Sequence, residues 1–117
     1  MERRAALALS ALLVLPGPAR AGDAEQVLSG ADWKAPATVE AAASRPALRK
    51  TVAAYLGVEA GWVRIAHAGG ARGSAWAHEV RAWLIALGIP GARIQIDPGM
   101  AERATLRLAV RTGEERM

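Results

Sequence analysis

Apolar and polar residues alternate along three segments of the chain, residues 62–67, 93–97 and 105–111. Side chains of a β-strand point alternately to its two faces, so this pattern predicts three half-buried strands. The apolar positions expected to face inward are Val63, Ile65, Ile94, Ile96, Leu106, Leu108 and Val110. Residues 25–28 are a weaker candidate for a short edge strand.

Two other segments repeat their apolar residues at helical spacing. The first stripe consists of Leu48, Val52, Tyr55 and Leu56, and the second of Trp76, Val80, Trp83, Leu84 and Leu87. Such stripes predict amphipathic helices that pack on a core. Ser44 and Ser74 are suited to cap the starts of these helices, and Gly57 and residues 88–90 predict their ends. The alanine-rich residues 38–43 predict a short helical turn.

Together these elements predict the fold class. Strands with one apolar face and helices with one apolar stripe pack most simply as an α/β (α+β) two-layer sandwich. In it, a small mixed β-sheet carries two main helices on one face. Residues 45–111 hold this predicted domain, residues 22–44 are expected to be a lead-in segment with a short helix, and residues 112–117 a disordered tail.

The first 21 residues have the pattern of a secretory signal peptide. A basic start at residues 2–4 precedes an apolar run, residues 5–15, that is much shorter than the roughly 20 residues needed to span a bilayer. Small residues follow at Ala19 and Ala21, the positions that a signal peptidase reads. We therefore expect cleavage after Ala21, a periplasmic location and no transmembrane anchor in the mature protein.

Composition narrows the classes of function. The chain has no cysteine, which excludes disulfides and a cysteine-linked lipid anchor. Loss of the leader removes three arginines and one glutamate, so the net charge of +4 falls to +2. A charge this mild argues against nucleic acid as a partner.

Residues 77–94 read AHEVRAWLIALGIPGARI, with Ala77, then Val80 and Arg81, then an aromatic–Leu pair, then Gly–Ile, then Arg–Ile. This pattern resembles the second helix and following strand of the OmpA C-terminal-like family, the peptidoglycan-associated domains also found in MotB and Pal. The preceding VRIAHAGG resembles the family's second strand, with His67 where the family has His or Tyr. The resemblance covers residues 45–111 and implies the fold and a cell-envelope location.

The resemblance fails at the residues that bind the family's ligand. Family members hold the diaminopimelate end of the peptidoglycan stem peptide with an Asp and an Arg, and these positions are Gly69 and Trp76 here. A glycine cannot replace a carboxylate that pairs with an ammonium group. Peptidoglycan binding would therefore depend on substitute residues such as His67, Arg72 and Arg81.

A glycine-rich segment between the first predicted strand and the second helix is the candidate site for a ligand. Its residues are His67, Gly69, Gly70, Arg72, Gly73 and Ser74. Backbone N–H groups at such a junction can hold an anion. The simpler alternative is a tight turn whose glycines adopt positive φ. Nucleotide binding is disfavoured because the full glycine spacing of that motif is missing.

Catalytic and metal chemistry have little support in the sequence. His67 and His78, with the adjacent Glu79, lack the spacing of ligands on one helix. No serine occupies a Gly-x-Ser-x-Gly turn. We therefore expect no enzyme activity, no metal and no cofactor.

The outward side of the predicted sheet is the candidate partner-binding face. Its residues are Trp62, Arg64, Arg93, Arg107 and Arg111. A tryptophan among arginines can dock an acidic partner, whereas the alternative is a solvated face covered by arginine stems. We expect a non-catalytic periplasmic domain that acts as a protein-interaction or cell-envelope assembly module. Peptidoglycan binding and weak anion binding at the glycine-rich segment are the alternatives.

Overall fold

The computed structural model describes residues 25–100 and 102–113. Its elements are β1 (Glu25–Ser29), α1 (Val39–Ala43), α2 (Pro46–Leu56), β2 (Trp62–Ala66), α3 (Gly70–Ala86), a 3-10 turn (Gly91–Arg93), β3 (Ile94–Asp97) and β4 (Thr105–Arg111). The predicted signal peptide, residues 1–21, and residues 114–117 of the predicted tail lie outside the described residues. None of the helices within the described ranges has the length and apolar character needed to span a bilayer.

The four strands form one mixed sheet in the order β1-β4-β2-β3. β4 runs antiparallel to β1 and to β2, whereas β2 and β3 run parallel. Ile65 lies opposite Leu108 on one side and Ile96 on the other, so the predicted inward positions line up across the strands. The predicted two-layer α+β architecture is confirmed.

The core lies between this sheet and the helices. Ile65 and Leu108 are fully buried, and they belong to the same cluster as Ile94 and as Val80 and Leu84 of α3. Burial of each large aliphatic side chain contributes about 1.5–3 kcal/mol, so the alternation read from the sequence supplies most of the driving force for this fold.

β1 confirms the predicted edge strand and continues to Ser29. It lies inside the segment 22–44 that was expected to be a lead-in, yet it is a full member of the sheet, with Glu25 opposite Ala109. A strand of five residues has little stability alone and depends on its neighbour for backbone hydrogen bonds. The helical turn predicted at residues 38–43 is confirmed as α1, where Thr38 Oγ1 accepts a hydrogen bond from the Ala41 N–H at 3.0 Å.

Both predicted serine caps were wrong. Ser44 closes α1, and its Oγ donates to the Ala41 carbonyl at 2.9 Å. α2 begins at Pro46 without a side-chain cap, because the φ of proline is already suited to a first helical position. α3 begins at Gly70, so Ser74 lies inside the helix and residues 70–73 form its first turn rather than a loop.

The end of α3 agrees with the prediction. Gly88 has φ of 114° and its N–H donates to the Ile85 carbonyl, while the Ile89 N–H donates to the Leu84 carbonyl, both at 3.0 Å. Ile89 folds back onto the helix and is 1% exposed. On α2 one inward position was wrong, because Leu56 in the last turn is 71% exposed.

The mixed topology brings the ends of several strands together at one edge of the sheet. The register places the ends of β1 and β2 beside the start of β4, and the parallel β3 ends at the same edge as β2. α3 begins at this edge, four residues after β2 ends. Ligands of open α/β sheets commonly bind outside the carboxyl ends of strands, so a ligand-binding site is expected at this edge.

Candidate ligand-binding site

A cleft of about 780 Å³ opens at this edge of the sheet. We call it the loop cleft, and we define it by six of its lining residues: Trp33, Gly69, Arg72, Gly73, Trp76 and Arg103. Its volume lies in the range of roughly 300–1,000 Å³ that is typical of small-molecule sites. The chain segments that form its walls are far apart in sequence and meet only in the folded sheet.

Gly69 turns the chain from β2 into α3. Its φ is 91°, a left-handed conformation that glycine adopts without strain. Gly73, in the first turn, packs directly on His67, since a Cβ at this position would lie 3.1 Å from the imidazole Nδ1. The tight-turn explanation therefore holds for Gly69, whereas Gly73 is explained by its close contact with His67, and both glycines line the cleft.

His67 is not one of the lining residues, but it packs behind two of them, Gly69 and Gly73. It is 3% exposed, and its Nδ1 accepts a hydrogen bond from the Gly69 N–H at 3.0 Å. Its backbone joins the neighbouring turn, because its N–H donates to the Asp97 carbonyl at 2.9 Å and its carbonyl accepts from the Met100 N–H at 3.0 Å. His67 thus fixes the glycine-rich segment in place.

Two tryptophans form the apolar part of the cleft. The rings of Trp33 and Trp76 have centroids 6.1 Å apart and planes inclined by 49°. Arg45 holds Trp33 in position, because its Cζ lies 5.3 Å from the centroid of the Trp33 ring and its guanidinium donates to the Lys34 carbonyl. The indole N–H of Trp76 is buried and has no acceptor in the described part of the chain.

Two exposed arginines give the cleft its charge. Arg72 comes from the first turn of α3, and Arg103 comes from the segment before β4. Among residues 25–100 and 102–113, no aspartate or glutamate lines the cleft. Ala104 holds the Arg103 segment against the end of β1: its φ is 53°, uncommon for a residue other than glycine, and its carbonyl accepts from the Gly30 N–H at 2.8 Å.

The structure therefore brings together most of the predicted ligand site. Gly69, Gly70, Arg72 and Gly73 all line the cleft. Ser74 is not among the lining residues, because α3 has already completed its first turn at that point.

Sequence reasoning missed three residues of this site. Trp76 was assigned to the core stripe and to the position where the resembled family has its ligand-binding Arg, but not to a binding role of its own. Trp33 was left in the lead-in segment, although a large aromatic residue in a polar segment is itself a signal. Arg103 gave no local signal, because its approach to Arg72 follows from the pairing of β4 with β2.

The predicted partner-binding face differs from expectation at Trp62. We expected its ring to lie on the open face, but the residue is 4% exposed and its Nε1–H donates to the Thr112 carbonyl at 3.0 Å. This bond also gives a structural role to Thr112, the first residue of the predicted disordered tail. Trp62 is therefore part of the packed interior and is not available to dock a partner.

Two arginines of that face form ion pairs within the domain. Arg64 pairs with Asp97. Arg107 donates to both carboxylate oxygens of Glu102, with Nη2–O distances of 2.8 and 3.1 Å, and lies 3.6 Å from Glu25. Much of the positive charge predicted for this face is therefore balanced by neighbouring carboxylates.

The ion pair at Asp97 has an electrostatic consequence. The hydrogen bond from Arg64, followed by that from the Gly99 N–H at 3.0 Å, holds the pKa of the Asp97 carboxyl below its usual range. The nearby His67 acts in the same direction, and partial burial opposes both. Asp97 is thus an ionised partner of Arg64 over the whole neutral range.

The remaining residues of the predicted face do not form a single patch. Arg93 lies in the 3-10 turn that precedes β3, rather than in the strand, and is half-buried. Arg111 lines a shallow depression of about 160 Å³ together with Arg64 and Arg107. Docking of a partner on this face stays a prediction.

Within residues 25–100 and 102–113, no three His, Asp or Glu side chains are grouped so that they could hold a metal ion. The two histidines considered as metal ligands have different surroundings. His67 is buried under α3, whereas His78 is exposed on that helix and its Nδ1 lies 2.9 Å from the Ser74 carbonyl oxygen.

No family model, curated protein or solved structure matches this chain. The resemblance of residues 45–111 to the OmpA C-terminal-like family stays a prediction. The positions where that resemblance places the family's ligand-binding Asp and Arg are Gly69 and Trp76, and both line the loop cleft. The substitute residues expected for peptidoglycan do not converge there, because Arg81 donates to the Gly91 carbonyl at 3.1 Å and His67 is buried.

Proposed function

We propose that this protein is a non-catalytic binding domain that acts outside the cytoplasm and holds an anionic ligand in the loop cleft. The observation that carries the proposal is the placement of Arg72 and Arg103 on a concave surface to which the described residues contribute no carboxylate. Guanidinium groups bind carboxylates and phosphates through paired hydrogen bonds. Export rests on the predicted leader, residues 1–21.

The chemistry of the lining favours binding over catalysis. Arginine keeps its proton at any physiological pH, so Arg72 and Arg103 can orient an anion but cannot serve as proton-transfer groups. His67, the nearest imidazole, uses Nδ1 to accept the Gly69 N–H and lies beneath the cleft. The positive end of the dipole of α3 adds a favourable potential for a negative charge at the same place.

The loop cleft is a better candidate for the binding site than the open face of the sheet, because within the described part of the chain its arginines are free to pair with a ligand. On that face Arg64 and Arg107 already have carboxylate partners, and Trp62 is buried. Both arginines of the cleft are exposed and form no ion pair with another described residue. An envelope protein that presents a carboxylate to the cleft would fit the same proposal.

The test is a titration of the ¹⁵N-labelled protein with inorganic phosphate and with acetate, followed by NMR. We expect the backbone amide signals of Gly69, Gly70 and Gly73 to move in a saturable way. Replacing both arginines, Arg72→Gln with Arg103→Gln, should weaken binding at least about tenfold, because it removes the charge-assisted bonds.

The matched control is Lys50→Gln, which removes one positive charge from an exposed position on α2, outside the cleft lining. This variant should bind as the parent protein does. If no anion binds at the cleft, or if the arginine variant binds as tightly as the control, the proposal is wrong.

A further inference from the structure

The loop cleft contains more apolar surface than a small anion such as phosphate can cover. This surface indicates that the ligand has an apolar part as well as a negative charge. The inference below rests on the proposed function, since it concerns the same site. Trp33 and Trp76 both line the cleft and are only partly buried, so each leaves part of its indole at the surface. Phosphate or acetate bound by the arginines would leave these indole surfaces in water.

The position of Trp33 is fixed before any ligand arrives. Arg45 stacks on its ring and at the same time donates to the Lys34 carbonyl, which ties the segment after β1 to the start of α2. Trp76 is carried by α3 and contacts Trp33 in a tilted arrangement. A pre-formed aromatic surface binds an apolar group with little loss of conformational freedom.

The charges and the indoles occupy the same cleft. Arg72 lies one helical turn before Trp76 on α3, and residues four apart on a helix share a face. Arg103 is held near the end of β1 by the bond between the Ala104 carbonyl and the Gly30 N–H, and Trp33 follows three residues after Gly30. Each wall thus combines one cation with one indole.

We infer that the ligand of the loop cleft is an organic acid with an aromatic body, whose anionic group lies at Arg72 and Arg103 and whose ring packs on Trp33 and Trp76. Aromatic rings gain from contact with indoles beyond the area that they bury, which favours a flat ring over an aliphatic body of the same size. The volume of about 780 Å³ accommodates such a molecule.

The experiment compares four carboxylates and one uncharged analogue by NMR titration of the protein as it is isolated. The carboxylates are acetate, cyclohexanecarboxylate, benzoate and 2-naphthoate. We expect affinity to rise along this series, with 2-naphthoate bound at least about tenfold more tightly than acetate. The uncharged 2-naphthylmethanol should bind at least about tenfold more weakly than 2-naphthoate, because it lacks the charge that the arginines recognise.

The four tryptophans provide an internal control that needs no substitution in the binding experiment. The indole N–H signals of Trp33 and Trp76 should move on addition of 2-naphthoate. Those of Trp62, on β2, and Trp83, at the far end of α3, should not move, because neither lines the cleft. The signals can be assigned from single Trp-to-Phe variants.

The outcomes separate this inference from the proposed function. If acetate and phosphate bind with the expected dependence on Arg72 and Arg103, but 2-naphthoate binds no more tightly, the proposed function stands and the aromatic ligand is wrong. Equal affinity for benzoate and cyclohexanecarboxylate, or indole shifts at Trp62 or Trp83 instead of Trp33 and Trp76, also overturns it. If no anion binds, both fail.

Discussion

At the scale of single residues, the two indole N–H groups buried in this domain differ in how they are paired. Trp62 donates to the Thr112 carbonyl at 3.0 Å, whereas the N–H of Trp76 has no acceptor within the described part of the chain. An unpaired buried donor costs about 1–3 kcal/mol, while a formed bond contributes about 1 kcal/mol. The same chemical change should therefore have different effects at the two positions.

We expect Trp62→Phe to lower the free energy of unfolding by at least about 1 kcal/mol more than Trp76→Phe does, because only the first change breaks a hydrogen bond. Trp76→Phe removes an unpaired donor, and this gain offsets part of the packing that is lost. Urea denaturation followed by far-UV circular dichroism measures both variants. Equal losses of stability would show that the pairing of the N–H groups has no energetic consequence.

At the scale of elements, two glycines that follow helices have different backbone conformations. Gly88 ends α3 with φ of 114°, whereas Gly57 ends α2 with φ of −87°. The sequence predicts a stop at both positions but cannot distinguish the two geometries. The left-handed conformation at Gly88 comes from the two hydrogen bonds that close the end of α3, those donated by Gly88 and Ile89.

Gly57→Ala should raise the free energy of unfolding by about 0.4–1 kcal/mol, because alanine fits the native φ and restricts the unfolded chain. Its Cβ would make ordinary contact, 3.5 Å from the Ala53 carbonyl oxygen. Gly88→Ala should lower the free energy of unfolding by about 1 kcal/mol or more, because alanine is strained at a φ of 114°. Thermal and urea unfolding of the two variants measure these changes. A change of the same sign in both variants would contradict the backbone conformations assigned to Gly57 and Gly88.

At the scale of the whole molecule, one core connects every layer of this small domain. Leu48 of α2, Leu84 of α3 and Leu108 of β4 belong to one buried cluster. A domain of this size buries a smaller fraction of its surface than a large one, so its stability depends strongly on each member of that cluster. Leu56, in contrast, is 71% exposed at the end of α2.

Leu108→Ala should lower the free energy of unfolding by about 2–5 kcal/mol, because it leaves a cavity at the centre of the sheet. Leu56→Ala is the matched control and should change stability by no more than about 0.5 kcal/mol. Both effects can be measured by urea denaturation. Similar losses for the two variants would contradict the position of the core.

The sequence by itself determined the features that depend on local periodicity. Strand alternation in β2 and β4, the stripe of α3 and its end at Gly88 could all be read directly, because each follows from residues a few positions apart. The local signal was weaker where a helix starts. Ser74 had the right chemistry for a cap, but His67 holds Gly69 and α3 begins four residues earlier, at Gly70.

Only the tertiary structure decided which distant segments meet. The pairing of β1 with β4 makes a strand of the expected lead-in and brings Trp33 to the same cleft as Arg103. The parallel register of β2 and β3 places Asp97 beside Arg64 and so neutralises part of a face that looks basic in sequence. Side-chain periodicity specifies which face of each strand is buried, but strand order and register depend on contacts between residues far apart in the chain.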